Sequence, residues 1–199
     1  MICDKNLRLE SDNILLRAIK IEDYNDLSTL AFHDDLWRYT SMCVTKDNLL
    51  DYIKSGINDW NNQIRYMFAI YSKKEKKTIG STSIAAIDVV NRRVEIGWTW
   101  LGKPYQGTGI NKECKYLLLC YCFETVHLHR VEFKTDVNNS KSRKALLKIG
   151  ATEEGILRSH MLLHHGKWRD TLYYSILDHE WEQIKKTVFR DNIYNHIDH

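Results

Sequence analysis

The sequence predicts an α/β protein built on a mixed, mostly antiparallel sheet that helices flank. Segments with the period-two alternation of strands recur along most of the chain. A strand–helix–strand unit around a glycine-rich turn, residues 94–137, lies among them, and such a unit places its two strands parallel. Helical segments before, between and after the strands supply the layer that the sheet needs to bury its faces.

The N-terminal half is predicted to form one strand, two helices and three further strands. Residues 14–19 alternate as a strand, and "EDYNDL" then places acidic residues in the first turn of a helix. Residues 45–63 should form a second helix, capped by Thr45 or Asp47. Its apolar face is expected to hold Leu50, Ile53, Ile57 and Trp60. Residues 65–101 then give three strands joined by two polar turns.

The C-terminal half begins with the last of these strands and the helix after it. The strand alternates, with one face formed by Val94, Ile96, Trp98 and Trp100 and the other by Glu95, Gly97 and Thr99. The buried stripe of the helix should consist of Ile110, Cys114, Leu117, Leu118, Tyr121, Cys122 and Thr125. A strand, a short helix that stops at Gly150, two strands and a last helix from near Asp178 complete the order.

Composition narrows the class of protein. The chain has 199 residues, of which 43% are hydrophobic and 28% charged, so it suits a single folded domain spanning residues 1–199. A net charge of +3 gives no argument for binding nucleic acid or membrane. No apolar run is long enough to span a bilayer, and the N-terminus lacks the apolar centre of a signal peptide, so a cytoplasmic protein is expected.

The five cysteines do not have the spacing of a metal site. None forms a CxxC pair or a zinc-type pattern with histidine, so no metal is predicted, and the thiols are interpreted as reduced, small apolar residues. Composition leaves the oligomeric state open between a monomer and a homodimer.

The glycine turn "QGTGIN" is the strongest local signal of a ligand. Gly107 and Gly109 stand where a helix begins, and free backbone N–H groups at a helix N-terminus bind anions such as a pyrophosphate. The turn is not a Walker loop, and it is not GxGxxG either, because Lys112 stands where the third glycine would be. A tight strand–helix turn without a ligand is the alternative.

Four motifs in a fixed order resemble those of the GNAT superfamily of acetyl-CoA-dependent N-acetyltransferases. They are "VEIGW", "QGTGIN", "NNSKSRKALLKIGA" and "EEGILR…GKWRD…YSIL", and the likeness is to the RimJ/RimL-type enzymes that acetylate the N-termini of ribosomal proteins. The resemblance covers about residues 8–185 and leaves 186–199 as a C-terminal tail. Gln106 and Gly109 match the family's Q/R-x-x-G-x-G/A loop, whereas Asn111 stands where glycine or alanine is usual.

The resemblance implies where acetyl-CoA lies. The strands at 94–100 and 129–137 splay apart, and the pantetheine arm pairs in the opening with backbone groups of the first strand. Gly97 suits a bulge beside the thioester, with a crowded neighbour as the alternative reason for a glycine. Asn139 is preferred to Asn138 as the pantetheine contact. The implied cofactor-binding residues are Ile96, Gly97, Trp98, Thr99, Gln106, Gly107, Thr108, Gly109, Ile110, Asn111, Lys112, Asn138, Asn139, Ser142 and Lys144.

The resemblance also implies the catalytic residues for direct attack of an amine on the thioester. The backbone N–H near Trp98 would stabilise the oxyanion, Ser142 would protonate the thiolate, and Glu95 would accept the amine's proton through a water. Alternatives are a packed Ser142 and a structural Glu95; His160 is a weaker candidate base.

The acceptor is expected to be a protein or peptide N-terminal α-amine, with a ribosomal protein as one candidate. It would enter beside the first two helices and the "HHGK" turn, at a mouth formed by Trp37, Tyr39, His164, His165 and Trp168. A polyamine or aminoglycoside acceptor, attracted by carboxylates such as Glu22, Asp34 and Asp35, is the alternative, followed by a non-enzymatic acetyl-CoA sensor.

Overall fold

The computed structural model describes residues 2–191, which surround one eight-stranded sheet of order β1-β2-β3-β4-β5-β6-β8-β7. The strands are β1 (Arg8–Glu10), β2 (Ile14–Ala18), β3 (Tyr66–Ser72), β4 (Lys77–Asp88), β5 (Arg93–Leu101), β6 (Arg130–Asp136), β7 (Thr152–Leu162) and β8 (Trp168–Leu177). The helices are α1 (Tyr24–Ser28), α2 (Asp34–Trp37), α3 (Leu49–Asn61), α4 (Ile110–Cys120), α5 (Ser140–Lys148) and α6 (Asp178–Val188).

Strand directions confirm the predicted fold class. Every neighbouring pair is antiparallel except β5 and β6, the two strands on either side of the glycine turn and α4. The crossover through α4 is what permits a parallel pair, because two parallel strands cannot be joined by a tight hairpin. The edge strand β1 is an addition, since three residues are too few to show alternation in the sequence.

The helix α3 differs from the prediction at its start. Its N-cap is Asn48 rather than Thr45 or Asp47, because Asn48 Oδ1 accepts a hydrogen bond from the Thr45 backbone N–H and holds residues 45–48 in a turn. The buried face therefore starts at Leu49, and Leu50 is exposed. Ile53 and Trp60 are buried and Ile57 is half-buried, as expected.

The helix α4 buries more than the predicted stripe. Every residue from Cys114 to Leu119 is buried, and the chain then continues as one π-helical segment, Tyr121–Thr125. Thr125 is exposed, contrary to the prediction, because the wider π turn shifts the residues that face the core. All five cysteines are free thiols, and burial raises the pKa of Cys3 and Cys114 to about 12.

The packed part of the C-terminal segment extends beyond residue 185, where the tail was predicted to begin. The helix α6 runs to Val188, and Phe189 is fully buried against Tyr116 and Trp181, so residues 186–189 are not a tail. The rest of the expected tail from residue 192 lies outside the described residues. Within residues 2–191, no helix has the length and apolar character needed to cross a membrane.

Candidate active site

A wedge-shaped opening separates β5 from β6. The two strands pair only from Arg93–Glu95 to Arg130–Glu132, although β5 continues to Leu101 and β6 to Asp136. The backbone of β5 beyond Glu95 is therefore free on the side that faces β6. An extended ligand can pair with such an edge as an added strand would.

A bulge lies in β5 at the mouth of this opening. Ser81 pairs with Trp100 but Ser83 pairs with Gly97, so Trp98 and Thr99 together face one residue of β4. Trp98 has a φ of 49° and its residue is 46% exposed. The sequence placed the bulge at Gly97 and put Trp98 on the face of Ile96 and Trp100. Because the extra residue interrupts the alternation of β5 directly after Gly97, Trp98 is exposed whereas Ile96 and Trp100 are buried.

Glu95 lies against Gly97 and is paired with β6. A Cβ added to Gly97 would stand 3.2 Å from Glu95 Oε1, so the glycine makes room for this carboxylate. Glu95 Oε2 lies 2.8 Å from Nζ of Lys134, across the opening. Lys134 also lies over the ring of Tyr173, with Nζ 4.9 Å from its centroid. The crowded-neighbour alternative for Gly97 therefore has a structural basis, and its neighbour is a candidate catalytic group.

The glycine turn presents open space and an uncapped helix. Gly107 and Gly109 have φ of 78° and 94°, and a Cβ added to either would meet nothing within 4 Å. Backbone conformation rather than crowding thus favours glycine here. Gly109 is the N-cap of α4 and no side chain caps this end, so the first N–H groups of the helix are available to an anion.

Side chains of the turn fix its shape. The Gln106 amide donates to the carbonyl of Leu101 at 3.1 Å, and the Thr108 hydroxyl donates to the carbonyl of Tyr105 at 2.7 Å. In the first turn of α4, Oδ1 of Asn111 is buried and has no hydrogen-bond partner among the described residues. Lys112 lies beside the ring of Phe189, with Nζ 5.6 Å from its centroid.

The helix α5 forms the other wall of the opening. Its N-cap is Asn139, whose side-chain oxygen accepts from the Ser142 N–H at 3.1 Å; this oxygen is committed to the helix. Asn138 is exposed, as is Lys144. Ser142 is half-buried, and its hydroxyl has no hydrogen-bond partner within the described chain, so it is free to meet a ligand.

Two lysines near the opening were not identified from the sequence. One is Lys134, the partner of Glu95, and the other is Lys115. Lys115 of α4 is buried, and its Nζ donates to Oγ1 of Thr99, the second residue of the bulge, at 2.7 Å. A signal for Lys115 existed, because residues 111, 115, 118 and 122 share one helical face in a segment that is otherwise apolar.

The expected acceptor side is assembled by backbone contacts. The turn between β7 and β8 contacts the segment after α2, since His164 N–H donates to Thr40 O at 3.2 Å and Arg169 donates to Tyr39 O at 2.9 Å. Trp168 is 63% exposed there. Trp37, however, is buried under Trp100, with ring centroids 5.4 Å apart, and so belongs to the core and not to the mouth.

The groups around this mouth are mainly cationic or neutral. An open groove beside it is lined by Arg158, Ser159, His160 and Asp170, and Asp170 accepts from the Ser159 N–H at 2.7 Å. His160 Nε2 lies 3.5 Å from the Tyr173 hydroxyl. Within residues 2–191, no group of three or more His, Cys, Asp or Glu residues could hold a metal ion.

Comparison with known proteins places this geometry in context. The family described as "Acetyltransferase (GNAT) domain" matches residues 13–152. The "Putative ribosomal N-acetyltransferase YdaF" of Bacillus subtilis is 30% identical over 88% of this chain and 97% of its own. The ribosomal-protein-serine acetyltransferase of Escherichia coli is 32% identical over 56% of this chain and 61% of its own.

Solved structures carry the same fold. Mycobacterium smegmatis RimJ, solved in complex with CoA-disulfide, superposes with a TM-score of 0.77 over 90% of both chains, at 23% identity. At that identity the likeness is one of fold. It includes the mixed sheet with one parallel pair, on which the opening between β5 and β6 depends.

Proposed function

The chain belongs to the GNAT acetyltransferase family, and on that premise we propose that it acetylates the N-terminal α-amine of a protein or peptide, by direct attack of the amine in a ternary complex. It is an acetyl-CoA-dependent N-acetyltransferase. We treat residues 1–199 as one acetyltransferase domain that acts in the cytoplasm, where ribosomal proteins are candidate acceptors. The names of the relatives support that choice, one of them a ribosomal-protein-serine acetyltransferase.

One observation carries the proposal: β5 and β6 stop pairing after Glu95 and Glu132 although both strands continue. The opening fits the pantetheine arm, since the free edge of β5 offers backbone groups of Ile96, Trp98 and Thr99. The diphosphate fits the uncapped start of α4, where the space before Gly107 and Gly109 is open and the N–H groups run to Lys112.

Acetyl-CoA supplies an activated acetyl group, and the protein residues align the amine with it. In the reaction an N–C bond forms, the C–S bond breaks, the amine loses a proton and the thiolate gains one. We assign the Trp98 N–H, next to the free edge of β5, to the negative charge that develops on the carbonyl oxygen. The free hydroxyl of Ser142 is assigned to the thiolate.

We assign Glu95 as the group that accepts the amine's proton through a water. Its Oε2 is held by Lys134, while its Oε1 lies beside Gly97, where the thioester ends in this arrangement. One oxygen of the carboxylate is thus held by Lys134, which supports the assignment of the other oxygen to the proton transfer. An α-amine with a pKa near 8 needs only modest assistance of this kind.

The charges at the mouth favour a peptide over a polyamine. Lys167 lies in the turn between β7 and β8, Arg169 follows it, and His165 of the turn contacts Arg38, so a polycation would be repelled there. The carboxylates considered for a polyamine, Glu22, Asp34 and Asp35, are all exposed, so they do not form a buried anionic pocket.

The test is acetyl transfer to a panel of amines, followed by release of the free CoA thiol. Peptides with N-terminal serine or alanine should release thiol faster than spermidine or an aminoglycoside at equal concentration. If none of the tested amines causes thiol release although CoA binds normally, the protein would be a sensor of acetyl-CoA and not an enzyme.

A further inference from the structure

Lys115 is the one buried lysine or arginine among residues 2–191, and the roles assigned above do not use it. Its residue is 5% exposed, and Thr99 Oγ1 is the one hydrogen-bond partner of its Nζ within the described chain. No described carboxylate lies within ion-pair distance of this ammonium group, in contrast to Arg17 or Lys134, each of which has one. An ammonium group with three N–H donors is therefore buried with a single neutral partner.

Such a residue does not stabilise the fold. A buried ammonium without a counter-charge costs free energy, and burial accordingly lowers the pKa of Lys115 to about 8. A leucine or methionine would fill the same space on α4, between buried neighbours Cys114 and Tyr116, without that cost. A residue that lowers stability and is nevertheless present calls for a functional explanation.

The hydrogen bonds of Thr99 connect the charged group of Lys115 to the backbone of β5. An ammonium can only donate, so Thr99 Oγ1 accepts from Lys115 at 2.7 Å. The same oxygen lies 2.8 Å from the hydroxyl oxygen of Thr82, and the O–H of Thr99 donates to the carbonyl oxygen of Gly97 at 3.3 Å. A chain of hydrogen bonds thus runs from the buried ammonium to the peptide between Gly97 and Trp98.

We propose that Lys115 is a positioning residue for acetyl transfer: through Thr99, its ammonium group holds and polarises the Gly97–Trp98 peptide, whose N–H contacts the reacting oxygen. The proposal rests on the function proposed above, since it deepens the role of the Trp98 N–H. Hydrogen bonds in series polarise one another, and a carbonyl that accepts from a charged chain leaves its own peptide N–H a stronger donor. The same chain fixes the bulge, in which Trp98 has a positive φ.

Kinetics of matched variants test the proposal. Lys115→Met and Thr99→Val should each lower kcat by roughly 10-fold, a part of what loss of a whole oxyanion donor costs. The KM for acetyl-CoA should change by less than about two-fold, and the double variant should be no slower than either single one, because both break one chain. Leu119→Met, one helical turn further along α4 and also buried, is the control and should keep its kcat.

A spectroscopic readout separates this proposal from the assignment of the reaction. Gly97–Trp98 is the only glycine–tryptophan dipeptide in the sequence, so carbon-13 at glycine carbonyls with nitrogen-15 at tryptophan amides selects one resonance. Lys115→Met and Thr99→Val should shift it, and Leu119→Met should not. If the wild type acetylates no amine, the proposed function fails. This resonance would still test whether the hydrogen bonds from Lys115 through Thr99 affect the Gly97–Trp98 peptide.

Three results would overturn the role of Lys115. They are an unchanged kcat in Lys115→Met, a resonance that does not move or that moves equally in Leu119→Met, and a loss of activity that appears only as weaker CoA binding or lower thermal stability. Lys115→Met is expected to unfold at the same temperature as the wild type or higher, so a loss of kcat in it cannot be a folding defect.

Discussion

Glu95 Oε2 and Lys134 Nζ lie 2.8 Å apart, joining β5 to β6 at the point where the two strands stop pairing. Burial acts against the charge on Lys134, but the hydrogen bond to Glu95 and its charge outweigh it and raise the pKa of the lysine. The lysine is therefore charged at neutral pH, and its ammonium group holds Oε2 of Glu95 in place.

Glu95→Gln should lower kcat at pH 7 by roughly 100-fold, the low end of the range for a general base, because an α-amine needs only modest assistance. The deficit should narrow towards pH 9, because an α-amine is then already neutral and needs no base. Measured pH–rate profiles check this. Lys134→Met, which keeps the carboxylate, is the matched control and should lose less. Equal losses of thermal stability in both variants, with kcat retained, would make the pair structural only.

Gly109→Trp should raise the Kd for CoA by at least roughly 10-fold, because the indole fills the space in which the N–H groups of α4 meet the diphosphate. Gly166→Trp is a matched control for binding, since Gly166 also has a positive φ, 83°, and open space around it. Calorimetry on both folded variants gives the comparison. Equal CoA affinity in the two would mean that the diphosphate lies elsewhere.

Ser142→Ala should lower kcat by roughly 10- to 1000-fold, the scale of losing one transition-state hydrogen bond or proton donor. Its hydroxyl has no partner in the described chain, so the free energy of unfolding should change by less than about 0.5 kcal/mol. Ser140→Ala, two residues earlier and exposed, serves as control. If thermal stability falls and kcat does not, Ser142 is a packed serine and the thiolate is protonated by another group.

Lys115→Met should stabilise the protein most at neutral pH. The pKa of Lys115 falls from 10.5 to about 8 on folding, so between these values the unfolded chain binds a proton that the folded protein has lost. The stability of the wild type therefore rises through this window relative to the variant, by up to about 3 kcal/mol. Thermal unfolding of both proteins at pH 7 and pH 10 measures it, and the buried thiols cancel because both proteins contain them. A constant difference would contradict a buried charge.

The pH dependence of turnover reports the acceptor. With an N-terminal peptide, activity should rise up to about pH 8 as the α-amine becomes neutral, whereas a lysine or polyamine should require pH 9 or above. In the wild type, the rise should end in a decline as Lys115 loses its charge; Lys115→Met should instead reach a plateau. No described carboxylate pairs with Lys115, and the neighbouring thiol of Cys114, with its pKa raised to about 12, does not titrate in this range. A rise that continues to pH 10 in both proteins would exclude the α-amine.

The strands, the parallel pair and the glycine turn could be predicted because each depends on local periodicity or on one short motif. The helix after residue 138 was equally local, with its asparagine cap and its stop at Gly150, where φ is 85°. The start of α3 could not be predicted in this way. The side chain of Asn48 accepts a hydrogen bond from the Thr45 backbone N–H, and the helix therefore begins only at Leu49.

Most of the contacts that refine the site lie between distant residues. Glu95 and Lys134 are neighbours only through the register of two parallel strands, which no local pattern gives. The bulge was expected at Gly97 but lies at Trp98 and Thr99. The alternation of residue types along one strand does not show where an extra residue is inserted relative to its partner strand. Trp37 looked like a surface aromatic beside charged residues, yet its contact with Trp100 buries it.

Acetylation of a peptide that carries both kinds of amine tests the central claim most directly. A peptide with an N-terminal serine and an internal lysine is incubated with acetyl-CoA at pH 7.5, and fragmentation by mass spectrometry locates the acetyl group. Spermidine in equal amount in the same reaction serves as the competing acceptor. Acetylation of the α-amine alone, faster than that of spermidine, is the expected result. Acetylation of the lysine or of spermidine at least as fast as the α-amine would contradict it.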